Sequence, residues 1–139
     1  MIVVDTNVLS ELTRRTPAAV LNWLDAQPTS EVAITAVTAA EMLYGVERLP
    51  AGRRRDELTD AVRALLDEDF AQRVEAFDMP AARAYSLVVT GRERIGRPIT
   101  VADAQIAAVC RARGATLPHP TPRISRTPGV NLIDPWQIG

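Results

Sequence analysis

Lysine is absent from the 139 residues, so all 16 basic side chains are arginine. Several chemistries are excluded with it. A P-loop needs its lysine on the phosphates, a Schiff-base enzyme needs an amine, and aspartyl-phosphate sites of the receiver type lean on a lysine beside the aspartate. Histidine is nearly absent as well. His119 is the single one, which rules out a two-histidine ribonuclease, and its place between Pro118 and Pro120 suits an exposed loop better than a general base. Cys110 is the lone cysteine, so no internal disulfide forms, and one Cys with one His falls short of the four ligands of a structural zinc site. No Gly-x-Ser-x-Gly elbow occurs. No apolar run approaches the roughly 18 residues of a membrane span. Met1-Ile-Val-Val before Asp5 lacks the basic start and long apolar stretch of a secretory signal, so the expectation is a cytoplasmic protein.

What is present reads as one soluble domain over residues 1–139, with 47% hydrophobic side chains, 24% charged and a formal net charge of -1. A chain this long buries about two thirds of its unfolded surface and needs no covalent staple. The near-neutral total hides an asymmetry. Residues 92–126 carry seven arginines against Glu93 and Asp103, a local charge of +5, which attracts a phosphate backbone or an acidic partner unless it only balances the acidic first half.

Apolar periodicity divides the chain into short strands alternating with helices. Ile2 to Val4 reads as a strand running into a helix at Thr6-Asn7, and Pro17 opens a second helix to about Ala26. Val32 to Thr35 is a strand. Thr38 to Val46 is helical, with Ala39, Met42, Leu43 and Val46 at i, i+3, i+4 and i+7. Arg53 to about Asp67 makes an amphipathic helix whose polar face begins with Arg53-Arg54-Arg55, Val74 to Phe77 a third strand, and Pro80 to Glu93 a helix. Thr100 to Arg113 is a helix closed by Gly114. Ala115 to Leu117 and Val130 to Ile133 are late strands. The expected fold is α/β, a three-layer α/β/α sandwich around a mainly parallel sheet. Residues 118–128, with four prolines, cannot continue a helix or a central strand and should form an extended loop.

Three acids stand out. Asp5 follows the first strand, Glu41 lies in the helix after the second, and Asp103 lies in the first turn of the Thr100 helix, so all three can reach the carboxyl edge of the sheet, where ligands gather. Each also has a plain structural role. Asp5 is a helix cap, Asp103 the third residue of a capping box and Glu41 a solvated helix residue. Against this, Glu41 interrupts Ala39-Ala40 and Met42-Leu43, and Asp103 interrupts Val101-Ala102 and Ala104. Carboxylates embedded in apolar helix faces cost free energy unless something neutralises them, and a hard divalent cation such as Mg²⁺ or Mn²⁺ would.

The stretches Val3-Val4-Asp5-Thr6-Asn7-Val8-Leu9, Ala39-Ala40-Glu41-Met42-Leu43-Tyr44-Gly45 and Ile99-Thr100-Val101-Ala102-Asp103-Ala104-Gln105 resemble, in order and separation, the three acidic motifs of PIN-domain ribonucleases. The likeness is to the toxins of VapBC-type toxin-antitoxin pairs in particular. Asn131-Leu-Ile-Asp-Pro-Trp136 is similar to that family's last strand and tail. The resemblance implies a PIN-like fold, Mg²⁺ or Mn²⁺ held by catalytic Asp5, Glu41 and Asp103, endonucleolytic cleavage of RNA, a homodimer and a cognate antitoxin partner. It also implies that Thr6, Asn7 and Thr100 fix the carboxylates by hydrogen bonds. One departure is visible: where the family continues through a polar turn bearing a fourth acid or amide, Thr121 to Ile124 has none. Two other readings use the same residues. One is a catalytically weak or dead PIN-fold protein that binds an antitoxin; the other is a metal-dependent DNA nuclease.

Overall fold

The computed structural model describes residues 1–6, 8–9, 18–118, 127 and 129–134. Within them five strands run parallel: β1 (Ile2–Val3), β2 (Val32–Thr35), β3 (Val74–Glu75), β4 (Thr116–Pro118) and β5 (Asn131–Ile133). Their order across the sheet is β3-β2-β1-β4-β5. Ile2 pairs with Val32 on one side and Thr116 on the other, so β1 is the central strand. Between strands lie α1 (Ala18–Asp25), α2 (Ala36–Glu47), α3 (Arg53–Ala64), α4 (Met79–Arg94) and α5 (Val101–Arg113).

The pleat of β1 sends successive side chains to opposite faces, and a separate core forms on each. Val4 packs with Val8, Leu9, Ile34, Ala39 and Phe70, joined by Ile2, Leu24 and Met42. Val3 packs with Ile106, Cys110, Ala115 and Leu117. A sheet buried on both faces needs continuous apolar runs, and all four residues of β2, Val-Ala-Ile-Thr, are buried. These paired cores make the expected α/β/α layering. On the α5 side, Val88 of α4 meets Ala104 and Ala107, where the small residues allow close helix packing.

Several boundaries differ from the sequence reading. The helix expected from Thr38 begins at Ala36, because Thr35 serves as its cap. The α3 helix passes into a π turn at Leu65–Asp69, closed by the Phe70 N–H donating to the Leu65 carbonyl at 2.8 Å. That widening seats Phe70 in the core. The third strand stops at Glu75, since Asp78 caps the following helix by accepting the Ala81 N–H. The late strands are each displaced: β4 ends on Pro118, in register with Ile133. Residue 118 therefore belongs to an internal strand, contrary to expectation, at its last position, where a missing N–H forfeits little. Of the proline-rich stretch, residues 119–126 and 128 lie outside the described residues, and with them His119; Asn7 and Trp136 do as well.

Candidate active site

In a sheet ordered 3-2-1-4-5 the winding reverses between β1 and β4, and in open parallel sheets the ligand crevice lies outside the carboxyl ends of the strands at such a reversal. Asp5 leaves β1 at this point. It is 5% exposed, and its Oδ1 accepts the Val8 N–H at 3.3 Å while its carbonyl accepts the Leu9 N–H at 3.0 Å. The carboxylate thus caps the first helical turn, where the helix dipole favours negative charge. Capping and a place at the crevice are one geometry here.

Glu41 arrives by another route. Thr35, the last residue of β2, turns the chain directly into α2: its Oγ1 accepts the Thr38 N–H at 3.0 Å, and the two hydroxyls lie 3.3 Å apart, fully buried. A helix starting at the carboxyl end of its strand presents its first turns to the crevice, and Glu41 sits in the second. Asp103 comes from α5, which runs into β4 and so also begins at that edge. Thr100 caps it, accepting the Asp103 N–H at 3.2 Å. The threonine thereby holds the backbone of Asp103 and leaves its carboxylate available.

Glu41 and Asp103 are exposed, so neither is embedded in an apolar helix face. Only Asp5 is buried; Ala39 of α2 and Ala104, Ala107 and Ala108 of α5 turn inward, whereas the other two acids turn outward, as do Ala40, Leu43 and Val101. The structure nevertheless brings the three together electrically. Local desolvation first, then the charge of Asp103, then that of Asp5, raise the Glu41 carboxyl above its ordinary value. Carboxylates from three distant stretches of sequence therefore share one field. As the side chains stand, no three Asp, Glu, His or Cys residues among those described are close enough to hold one ion between them.

Neighbouring groups fix the crevice without joining it. Burial, then the Asp5 charge, push the Cys110 thiol up to about 12, leaving it an inert core group. Arg92, 8% exposed, donates from Nε to the Arg97 carbonyl at 2.7 Å and from Nη1 to Thr127 Oγ1 at 3.4 Å. It thus fastens the turn leading to the Thr100 cap. Arg113 donates to Asp78 and to the Ala76 carbonyl and lies 3.5 Å from Glu75. Two cations of the 92–126 excess are thereby committed inside the fold. Sequence reasoning missed Thr35, Arg92 and Arg113 in these roles. The Thr35-x-x-Thr38 spacing after an apolar strand was a legible cap signal, whereas the contacts of Arg92 with Thr127 and of Arg113 with Glu75, Ala76 and Asp78 span 35 residues or more and had none.

A PIN domain family model matches residues 2–119. The chain is 38% identical over 138 residues to plasmid stability protein StbB of Pseudomonas syringae pv. tomato and 36% identical over 138 residues to VapC ribonuclease Y4jK of Sinorhizobium fredii, with 99% of every chain covered. It is 31% identical over 137 residues to toxin FitB of Neisseria gonorrhoeae, covering 98% of this chain and 99% of that one. A solved structure of FitAB bound to an IR36 DNA fragment superposes with a TM-score of 0.90 at 31% identity, covering 100% of this chain and 98% of that one.

Proposed function

This chain belongs to the PIN domain family, and from that premise we propose that it is the toxin of a toxin-antitoxin pair, a metal-dependent endoribonuclease whose site is built from Asp5, Glu41 and Asp103. The observation that carries the reading is the field at Glu41, where the charges of Asp103 and Asp5 both bear on one carboxyl. Three hard oxygen donors without a soft ligand suit Mg²⁺ or Mn²⁺, and the like-charge crowding at Glu41 is the penalty a divalent cation relieves. Bound there, such an ion would lower the pKa of a water molecule and offset charge on the phosphate under attack.

The protein's own part is positioning. Asp5 is held by its cap to Val8, and Asp103 by Thr100, so both present carboxylates from rigid helix starts. Glu41, whose carboxyl lies in the field of the other two, would accept the proton of the attacking water. The partner is an antitoxin, in keeping with the toxin name of one relative and the VapC name of another. A homodimer in the cytoplasm completes the reading; no helix of the described residues is long and apolar enough to cross a membrane.

The spacing of the three acids, wider than one ion needs, favours a second reading: a catalytically weak protein that serves chiefly to bind the antitoxin. One experiment separates the two, and a DNA nuclease as well. The purified, antitoxin-free protein is given single-stranded RNA or DNA with Mg²⁺, Mn²⁺ or EDTA. Cleavage of RNA alone, dependent on metal and lost in Asp103→Asn, is expected. Absence of metal-dependent cleavage would leave the binding role, and cleavage of DNA would move the chain to the nuclease reading.

A further inference from the structure

We infer that Tyr44 and Arg48 form a binding strip for the single-stranded RNA brought to the acidic site, Tyr44 stacking on a base and Arg48 meeting a phosphate. The inference rests on the ribonuclease reading above and adds the surface that holds the substrate.

Glu41, Tyr44 and Arg48 stand at i, i+3 and i+7 of α2 and its cap, so they line one helix face over about 10 Å. All three are exposed. Tyr44, in the last turn of α2, is 68% exposed, unusually open for an aromatic side chain. The Arg48 guanidinium sits over its ring, 5.8 Å from the centroid. An aromatic face with an arginine beside it is the composition by which proteins hold single-stranded nucleic acid: the ring accepts any base, and the guanidinium adds stacking and a phosphate contact.

Charge runs the right way along the strip. Beyond Arg48 the chain turns into Arg53-Arg54-Arg55, and Arg55 Nη2 reaches Glu47 Oε1 at 2.8 Å, fastening the start of α3 to the end of α2. Arg53 is engaged by Glu57 at 3.0 Å. Among the described residues no carboxylate pairs with Arg48 or Arg54, which therefore leave their charge to a ligand. A polyanion lying on this face meets cations at one end and the acidic crevice at the other. Held so, it delivers a phosphate to a site that would repel it without a metal.

The test uses a short fluorescein-labelled oligoribonucleotide. Cleavage kinetics with Mg²⁺ are compared for the wild type, Tyr44→Ala, Tyr44→Phe and Arg48→Ala, and binding of the same oligonucleotide is measured by anisotropy with each change made in an Asp103→Asn background. Tyr44→Ala and Arg48→Ala should each raise KM and weaken binding about tenfold with kcat nearly kept, while Tyr44→Phe stays near wild type because the ring face suffices. Arg48→Ala should also reduce the salt slope of log K by about one. Wild-type binding and KM in Tyr44→Ala and Arg48→Ala, with Asp103→Asn inactive, would overturn the strip and leave the ribonuclease reading standing. A wild type that neither binds nor cuts RNA removes both. If weakened RNA binding in Tyr44→Ala comes with dissociation of the homodimer on sedimentation, or is not restored in Tyr44→Phe, the side chain serves a protein contact and the strip is likewise overturned.

Discussion

Thr38 donates its backbone N–H to Thr35 Oγ1 at 3.0 Å, with neither side chain exposed to solvent. This bond converts the end of β2 into the start of α2 without an intervening loop, and it fixes where along the crevice Glu41 emerges. Thr35→Val keeps the shape and removes the acceptor, stranding the Thr38 N–H in the core. The loss should be about 1–3 kcal/mol, with Thr35→Ser losing much less, as read by urea denaturation. Nuclease activity of the folded Thr35→Val protein should also drop, since Glu41 loses its fixed approach. Equal stability of the valine variant and wild type would contradict this.

Asp5→Asn preserves a side-chain oxygen able to accept from Val8, whereas Asp5→Ala does not. The asparagine variant should therefore fold with little change in melting temperature yet have no cleavage activity. The alanine variant should lose activity and about 1 kcal/mol as well. Differential scanning calorimetry alongside cleavage assays separates the two effects. An active Asp5→Asn protein would remove Asp5 from the chemistry.

Glu41 gives a pH prediction with a definite sign. Its carboxyl is raised in the folded protein, so the folded state holds the proton more tightly than the unfolded chain. The resulting stabilisation is present below the ordinary carboxylate value and is lost as pH rises through the raised one. Asp103→Asn deletes one of the charges responsible. NMR titration of the Glu41 side-chain carbon should then show a lower midpoint in Asp103→Asn than in the wild type, and the metal-free variant should lose less stability across that interval. An unmoved midpoint would mean that the two acids do not share a field.

Cys110 has no exposed surface and a thiol pushed up to about 12. The native protein should resist labelling by a disulfide reagent at pH 8 and react fully once unfolded in guanidinium. Rapid labelling under native conditions would show that the core between β1 and α5 opens easily.

Gly114 and Gly129 both have left-handed backbone, at φ 64° and 77°. Alanine at either should cost about 1 kcal/mol through the backbone. At Gly129 a Cβ would also come within 2.7–2.9 Å of the Arg111 side chain, whereas at Gly114 it meets open space. Gly129→Ala should therefore be the more destabilised of the pair in thermal melts; the reverse order would show that Arg111 moves aside without cost.

Elements and their type follow from pattern along the chain, because a strand buried on both faces and a helix with one buried stripe impose different apolar periods. Ile2 to Val4, Val32 to Thr35 and the helix from Thr100 to Gly114 were legible for this reason, as were the three acids and the family likeness. Local cap chemistry also marked Thr100 and Gly114. The rest depends on how the layers pack. Strand order makes β1 central and puts Asp5 at the reversal of winding, a relation no local pattern encodes. That order also sets Asp103 and Asp5 against Glu41, and it turns two of the three acids outward, where helix composition had suggested burial. Arg92 and Arg113 looked like members of a cationic surface stretch and prove to be clamps, because their partners, Thr127 in one case and Glu75 and Asp78 in the other, are brought near only by folding. Apolar pattern is a property of neighbours along the chain; charge pairing depends on distances that the packed layers alone supply.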